Sequence, residues 1–173
     1  GPAGIGALIN LGDIDLTPVL RGGGQERGRR AGTENLVGIA GFAAAARAGM
    51  LGRDDFARLA QLRDRFEADI GAAIPDIYIA GQGRPRLVNT ACLALPGVTA
   101  STLVMSLDLA GFSVSAGAAC SSGKVERSHV LGAMAAPAWA AAGAVRISLG
   151  WNTVAADLDG LVEACVRLYK RAA

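Results

Sequence analysis

Aromatic side chains are scarce in this chain, making up 5% of its 173 residues, and it carries one histidine, three cysteines and only two lysines. With so few large rings, a core has to come from close packing of aliphatic side chains and alanines, which suits helices laid on a sheet. His129 with Cys92, Cys120 and Cys165 does not make a zinc site, because no C-x-x-C pair is present. The same wide spacing argues against a disulfide framework. No stretch approaches the roughly 18 uninterrupted apolar residues that a membrane helix needs. Residues 1–20 hold Asp13 and Asp15 and no basic leader, so neither a signal peptide nor a membrane partner is expected, and the expected location is cytoplasmic. Charge of one sign is lacking too. The 17 Lys+Arg against 15 Asp+Glu leave +2, a small field for holding nucleic acid, and no aromatics interleave the arginines as they do on single-strand binding surfaces.

What is abundant is apolar and small: 51% hydrophobic residues and 24 glycines. This composition predicts a compact α/β or α+β fold. The opening residues Gly1 to Ile9 read as a glycine turn followed by a short apolar strand. The stretch from Arg21 to Asn35 is too rich in glycine for regular structure and predicts a loop, with Thr33 placed to cap the next helix. In that helix Leu36, Ile39, Ala40, Ala43 and Ala44 share a face, Gly38 and Gly41 predict close packing, and Gly49 supplies a stop. A second helix, Asp54 to Ile74, repeats Phe56, Leu59, Leu62, Phe66, Ile70 and Ile74 at steps of three and four. Its outer face carries Arg63/Glu67 and Arg65/Asp69, and it reads as an exposed hinge between two lobes. Strands are expected at 77–80, 88–95, 112–115 and 144–149. Helices are expected at 100–110, near 128–134, and from Thr153 to about Arg171.

Three features offer chemistry. Cys120 lies in a run of small and polar residues, Ala116 to Lys124, that shields a thiol poorly. Cys92, between Ala91 and Leu93, and Cys165, on the apolar face of the last helix, read as core residues instead. Arg146 interrupts the apolar strand Ala144 to Leu149, either as half of a structural ion pair or as a clamp for a substrate carboxylate. The glycine-rich stretch ending at Thr33 offers N–H groups and a hydroxyl to an anion, or else is simply a solvated basic loop with Arg21, Arg27, Arg29 and Arg30. His129 starts a short helix and has no catalytic role.

Four segments in order carry a family resemblance: Gly1-Pro2-x-Gly4-Ile5-Gly6-Ala7-Leu8; Gly22-Gly23-Gly24-Gln25-Glu26-Arg27-Gly28-x-Arg30-x-Gly32-Thr33-Glu34-Asn35; Ser115-Ala116-Gly117-x-Ala119-Cys120-Ser121-Ser122-Gly123; and Val145-Arg146-Ile147-Ser148-Leu149-Gly150. The chain resembles the cysteine desulfurases of the housekeeping and nitrogen-fixation type, fold-type I pyridoxal-phosphate enzymes of the class V aminotransferase family. The resemblance implies removal of sulfur from L-cysteine to leave L-alanine, with Cys120 becoming a persulfide and Arg146 binding the substrate carboxylate. Thr33 would reach the pyridoxal 5'-phosphate (PLP) phosphate of the partner subunit in a homodimer. The sulfur would pass to an iron–sulfur scaffold or another acceptor protein.

The resemblance also implies that residues 1–50 end a large PLP domain and that residues 51–173 form the small C-terminal α/β domain. The family's PLP lysine, in a Ser-x-His-Lys motif, would fall just before Gly1. Lys124 and Lys170 stand in no such motif, so this chain alone is expected to be inactive. The alternatives are a selenocysteine lyase or related PLP enzyme, and a truncated, non-catalytic sulfur-transfer or interaction module.

Overall fold

The computed structural model describes residues 1–12, 14–116 and 128–172. The chain divides into two compact units, Gly1–Arg53 and Asp54–Ala173.

The first unit contains a short 3-10 turn, Gln25–Gly28, and one long helix, α1 (Leu36–Leu51). The strand expected near residues 5–9 is absent. Leu8 and Ile9 are exposed, and an isolated apolar run has no ladder in which to satisfy its backbone groups. Helix α1 starts two residues later than its expected cap allows. Asn35, not Thr33, is the N-cap, and its Oδ1 accepts from the Gly38 N–H at 2.9 Å. Gly38 and Gly41 do mark close approaches: a Cβ on Gly41 would lie 2.9 Å from the Pro2 ring. The apolar side chains of α1 are largely exposed, Gly38 being its one buried residue.

The second unit is α+β. Helix α2 (Asp55–Ala73) is followed by β1 (Tyr78–Ile79), β2 (Thr90–Ala94), α3 (Ala100–Leu109), β3 (Ser115–Ala116), α4 (His129–Ala133), α5 (Ala138–Gly143), β4 (Val145–Ser148) and α6 (Ala155–Ala172). The strands form one antiparallel sheet in the order β1-β2-β4-β3. Helices begin where side-chain caps permit: Thr99 accepts from the Thr102 N–H and Ser128 from the Leu131 N–H, each at 3.2 Å. His129, exposed as the first residue of α4, is a helix-terminal surface residue as expected.

One face of the sheet carries the main core. Leu93, Val145 and Ile147 meet Leu59, Phe66 and Ile70 of α2, Leu103 and Leu107 of α3, and Leu158, Leu161 and Cys165 of α6. Each large aliphatic or aromatic side chain buried there is worth about 1.5–3 kcal/mol. The opposite face is covered at one end by a smaller cluster built mostly of alanine from α4, α5 and their flanks, with Leu131 as its largest member. An alanine buries little more than a methyl group, so this second layer contributes less and leaves part of the sheet open.

Helix α2 corrects two expectations. Phe56 is half exposed, whereas Arg63 and Glu67 are buried rather than on an outer face. Glu67 is paired with Arg86, whose Nη1 donates to Oε1 at 2.6 Å. Arg63 donates instead to the Leu87 carbonyl and to Asp64, both at 2.6 Å. The hydrogen bond to Glu67 is the main cause that raises the Arg86 pKa. The Arg65/Asp69 pair forms on the surface as expected, at 3.3 Å. Helix α2 is therefore a core element of the second unit rather than an exposed hinge. Among the described residues, no helix is long and apolar enough to cross a membrane.

Candidate functional site

In the second unit the candidate surface is the open face of the sheet. Along β4 the burial alternates, with Val145 and Ile147 inside and Arg146 and Ser148 exposed, as a half-covered strand requires. The register sets Arg146 between Cys92 of β2 and Ser115 of β3, and Ser148 opposite Thr90. Directly opposed residues share a face with their Cβ atoms about 4.5–5.5 Å apart. The result is a polar patch with one guanidinium at its centre. Of the two roles considered for Arg146, the structural ion pair is not seen among the described residues, where no carboxylate pairs with it. Five donors on an exposed, central strand position suit a planar two-oxygen ligand.

The turn after β4 is fixed from a distance. Arg58 of α2 donates to the carbonyls of Thr153 at 2.7 Å and Trp151 at 2.6 Å. Asn89 holds the last turn of the strand through reciprocal contacts with Leu149, N–H to carbonyl at 2.8 Å and Nδ2 to carbonyl at 3.2 Å. These ties keep β4, and with it the Arg146 backbone, in register.

Cys92 is corrected from a core residue to a half-buried one. It lies on the Arg146 side of the sheet, against the alanine cluster. Burial pushes its thiol pKa up, and the nearby Arg146 charge opposes the shift. Cys165 is fully buried, as expected, and burial pushes its pKa up to about 12. Cys120 lies outside the described residues.

A prediction follows for the two described thiols. The thiolate is the reacting form, so near pH 8 Cys165 should be alkylated about a thousandfold more slowly than a free cysteine, and Cys92 at an intermediate rate; peptide mapping after timed alkylation reads both. The Cys165 shift also makes stability depend on pH. The unfolded thiol loses its proton near 8.5 and the folded one near 12. Its contribution is therefore fully present below about pH 8.5 and is lost as pH rises toward 12, by at most about 1.4 kcal/mol per pH unit. Denaturant melts at pH 8 and pH 10.5 should show this fall, and Cys165→Ala should flatten it.

In the first unit the glycine-rich loop is folded back on itself. The Ala31 N–H donates to the Leu20 carbonyl at 3.0 Å, Gly32 turns at φ 97°, and Glu26 and Arg27 sit in the left-handed region at φ 49° and 57°. Such values are uncommon away from glycine and belong to a loop that its surroundings hold in place. Arg30 is the tie. Its Nη1 lies 3.3, 2.7 and 3.4 Å from the carbonyls of Ala31, Gly32 and Thr33, and its Nη2 lies 3.8 Å from Glu26. Because Asn35 does the capping, the exposed Thr33 hydroxyl is left without a hydrogen-bond partner among the described residues. The basis for expecting a cap at Thr33 was its hydroxyl beside a helix start; Asn35, one residue before the helix, is an equally good capping type and closer.

The sheet thus presents an arginine without a carboxylate partner among the described residues, and the glycine-rich loop an exposed threonine hydroxyl. Residues 1–161 match the aminotransferase class-V family, and the chain belongs to that family. It is 47% identical over 163 residues to a cysteine desulfurase of Cereibacter sphaeroides, covering 94% of this chain and 42% of the relative. It is 37% identical over 172 residues to the cysteine desulfurase IscS of Dictyoglomus turgidum, covering 99% and 44%. Among solved structures, the NifS-like protein from Rickettsia africae superposes with a TM-score of 0.76 at 29% identity, over 91% of this chain and 41% of that one. The chain thus spans about 42% of the length of the Cereibacter relative.

The residues present fit one end of a PLP cofactor. The Thr33 hydroxyl and its loop suit a phosphate, whereas Lys170, the one lysine among the described residues, is on the terminal helix rather than in either candidate surface.

Proposed function

We propose that this chain is the sulfur-carrying part of a cysteine desulfurase, with residues 1–50 ending a larger PLP domain and residues 51–173 forming the smaller one. The observation that carries the reading is Arg146: a guanidinium central in the sheet, facing outward, with no carboxylate partner among the described residues. It would take the α-carboxylate of L-cysteine in a two-point contact and orient the substrate. Cys120, four residues beyond the end of β3 in sequence, would attack the substrate sulfur. The C–S bond breaks, a Cys120–S–SH persulfide forms, and the carbon skeleton leaves as L-alanine. Bound PLP supplies the electron sink that makes the C–S bond labile. Thr33 would hold its phosphate, in the homodimer that of the partner subunit.

The persulfide then goes to an iron–sulfur scaffold or another acceptor protein. A cytoplasmic setting goes with this reading, because a carrier thiol has to be kept reduced between turnovers. The class V match and the desulfurase relatives at 37–47% identity support it over a general amino-acid lyase.

The test is a chimera that joins residues 1–173 to the part of the Cereibacter desulfurase that they do not span. It should release alanine and sulfide from L-cysteine, and mass spectrometry of the cysteine-treated protein should find one added sulfur on Cys120. Cys120→Ser should abolish sulfide release, and the 173-residue chain alone should release none. Full activity in the Cys120→Ser chimera, or an added sulfur on Cys92 instead, would overturn the assignment.

A further inference from the structure

We propose that Cys92 is a positioning residue for Arg146, holding the guanidinium toward the open end of the sheet, where a substrate carboxylate would meet it. The inference rests on the reading of Arg146 as the carboxylate clamp, and it adds the side chain that aims the clamp.

The ladder supplies the first step. The Leu149 N–H donates to the Asn89 carbonyl at 2.8 Å, so these two residues are a hydrogen-bonded pair, and antiparallel strands alternate such pairs with non-hydrogen-bonded ones. Counting along the register from there makes Cys92 and Arg146 a non-hydrogen-bonded pair. The Cys92 carbonyl is turned the other way, accepting from the Ala80 N–H at 2.8 Å on the β1 side. Side chains come closest in non-hydrogen-bonded pairs, whose Cα atoms are about 4.5 Å apart against about 5.5 Å in the other kind. Arg146 turns its backbone groups toward β3, so its pair with Ser115 is the wider kind. Cys92 is thus the nearer cross-strand neighbour.

The second step is what lies around the pair. Cys92 packs against the cluster of buried alanines. The diagonal neighbours of Arg146 on β2 are Ala94, fully buried under that cluster, and Thr90, which is half-buried and faces the exposed Ser148. One side of Arg146 is therefore filled and the other is open, and Cys92 stands at the boundary. Its sulfur fills the step between the alanine layer and the aliphatic stem of the arginine. The stem is kept from folding into that step, and the guanidinium stays on the side of Thr90 and Ser148.

The electrostatics agree with this placement. Burial raises the Cys92 pKa and the Arg146 charge lowers it, as a cation close to a thiol does.

The placement is tested in the 173-residue chain. Arg146→Met keeps an unbranched stem beside Cys92 and removes the charge, so alkylation of Cys92 at pH 8 should slow by about threefold or more, because the thiolate is the reacting form. Arg146→Lys should leave the rate close to that of the wild type, and Cys165 should respond to neither. An unchanged Cys92 rate in Arg146→Met would show that the guanidinium is not beside the thiol, and would overturn the proposal whether or not any Cys92 variant folds.

The role is tested in the chimera. Cys92→Ala empties the step, so KM for L-cysteine should rise about 3–10-fold with kcat within about twofold, the pattern of a weakened binding contact. Cys92→Val refills the space without a thiol and should keep KM within about twofold of wild type. In the Arg146→Ala background, Cys92→Ala should change KM by less than about twofold, since a residue that acts through the arginine has nothing left to position.

If Arg146→Ala leaves KM unchanged, the clamp reading falls and this proposal with it. If Arg146→Ala raises KM and Cys92→Ala does not, the clamp stands and the positioning role is overturned. Equal effects of Cys92→Ala with and without the arginine also overturn it, as does a loss in Cys92→Val as large as that in Cys92→Ala.

Discussion

Glu67→Ala should destabilise the second unit by about 3–5 kcal/mol, a large share of the usual total stability of about 5–15 kcal/mol. Glu67 is almost completely buried on α2, and its carboxylate takes both terminal nitrogens of Arg86. Removing it leaves a largely buried guanidinium without its hydrogen-bonded counter-charge. The Coulomb attraction of the pair is offset by the desolvation both groups suffered on folding, so the pair as a whole contributes less than its rupture costs. Glu67→Met with Arg86→Met should therefore be much milder than Glu67→Ala, and could be neutral. Denaturant melts of the single and double variants check this directly. A single variant within 1 kcal/mol of wild type would show that Arg86 swings out to solvent when its partner is lost.

That pair also marks where sequence reasoning stops. Arg63 and Glu67 stand four residues apart on a helix, which is the pattern of an ordinary surface pair. Nothing in a single sequence distinguishes it from a buried carboxylate whose partner, Arg86, comes 19 positions later. The apolar residues of the same helix were legible because their period repeats: Leu59, Phe66 and Ile70 were read as core, and all three are buried. Helix α6 was read in the same way, through Leu158, Leu161 and Cys165. Phe56, one turn before that run, fits the period and still stays half exposed.

Strands were less legible, for a reason that is also physical. In β2 the segment Ala91-Cys92-Leu93-Ala94 is apolar at every position, so the alternation that separates its two faces is invisible until the neighbouring strands are placed. Ala91 and Leu93 turn to the main core, while Cys92 and Ala94 turn to the alanine cluster. Cys92 thereby moves from the expected core to the Arg146 side. The strand expected at 112–115 is found, among the described residues, at Ser115–Ala116, where both residues pair with β4. Arg146 itself stood out at once, because a permanent charge inside an apolar run demands an account. The run is apolar on one face only, and that face is the one Arg146 does not share.

Arg146→Ala should separate binding from stability more sharply than any other substitution in the chain. The side chain is exposed and has no carboxylate partner among the described residues, so its removal should change the stability of the 173-residue chain by no more than about 0.5 kcal/mol. In the chimera the same change should raise KM for L-cysteine by about 10–150-fold, the equivalent of roughly 1.5–3 kcal/mol for charge-assisted hydrogen bonds to the substrate carboxylate. Arg146→Lys keeps the charge and loses the planar fork, so most of that loss should remain. Steady-state kinetics with L-cysteine and thermal melts together read both effects. An Arg146→Ala chain that loses stability in proportion to its loss of substrate affinity would return Arg146 to a structural role, and the carboxylate contact would have to be sought elsewhere.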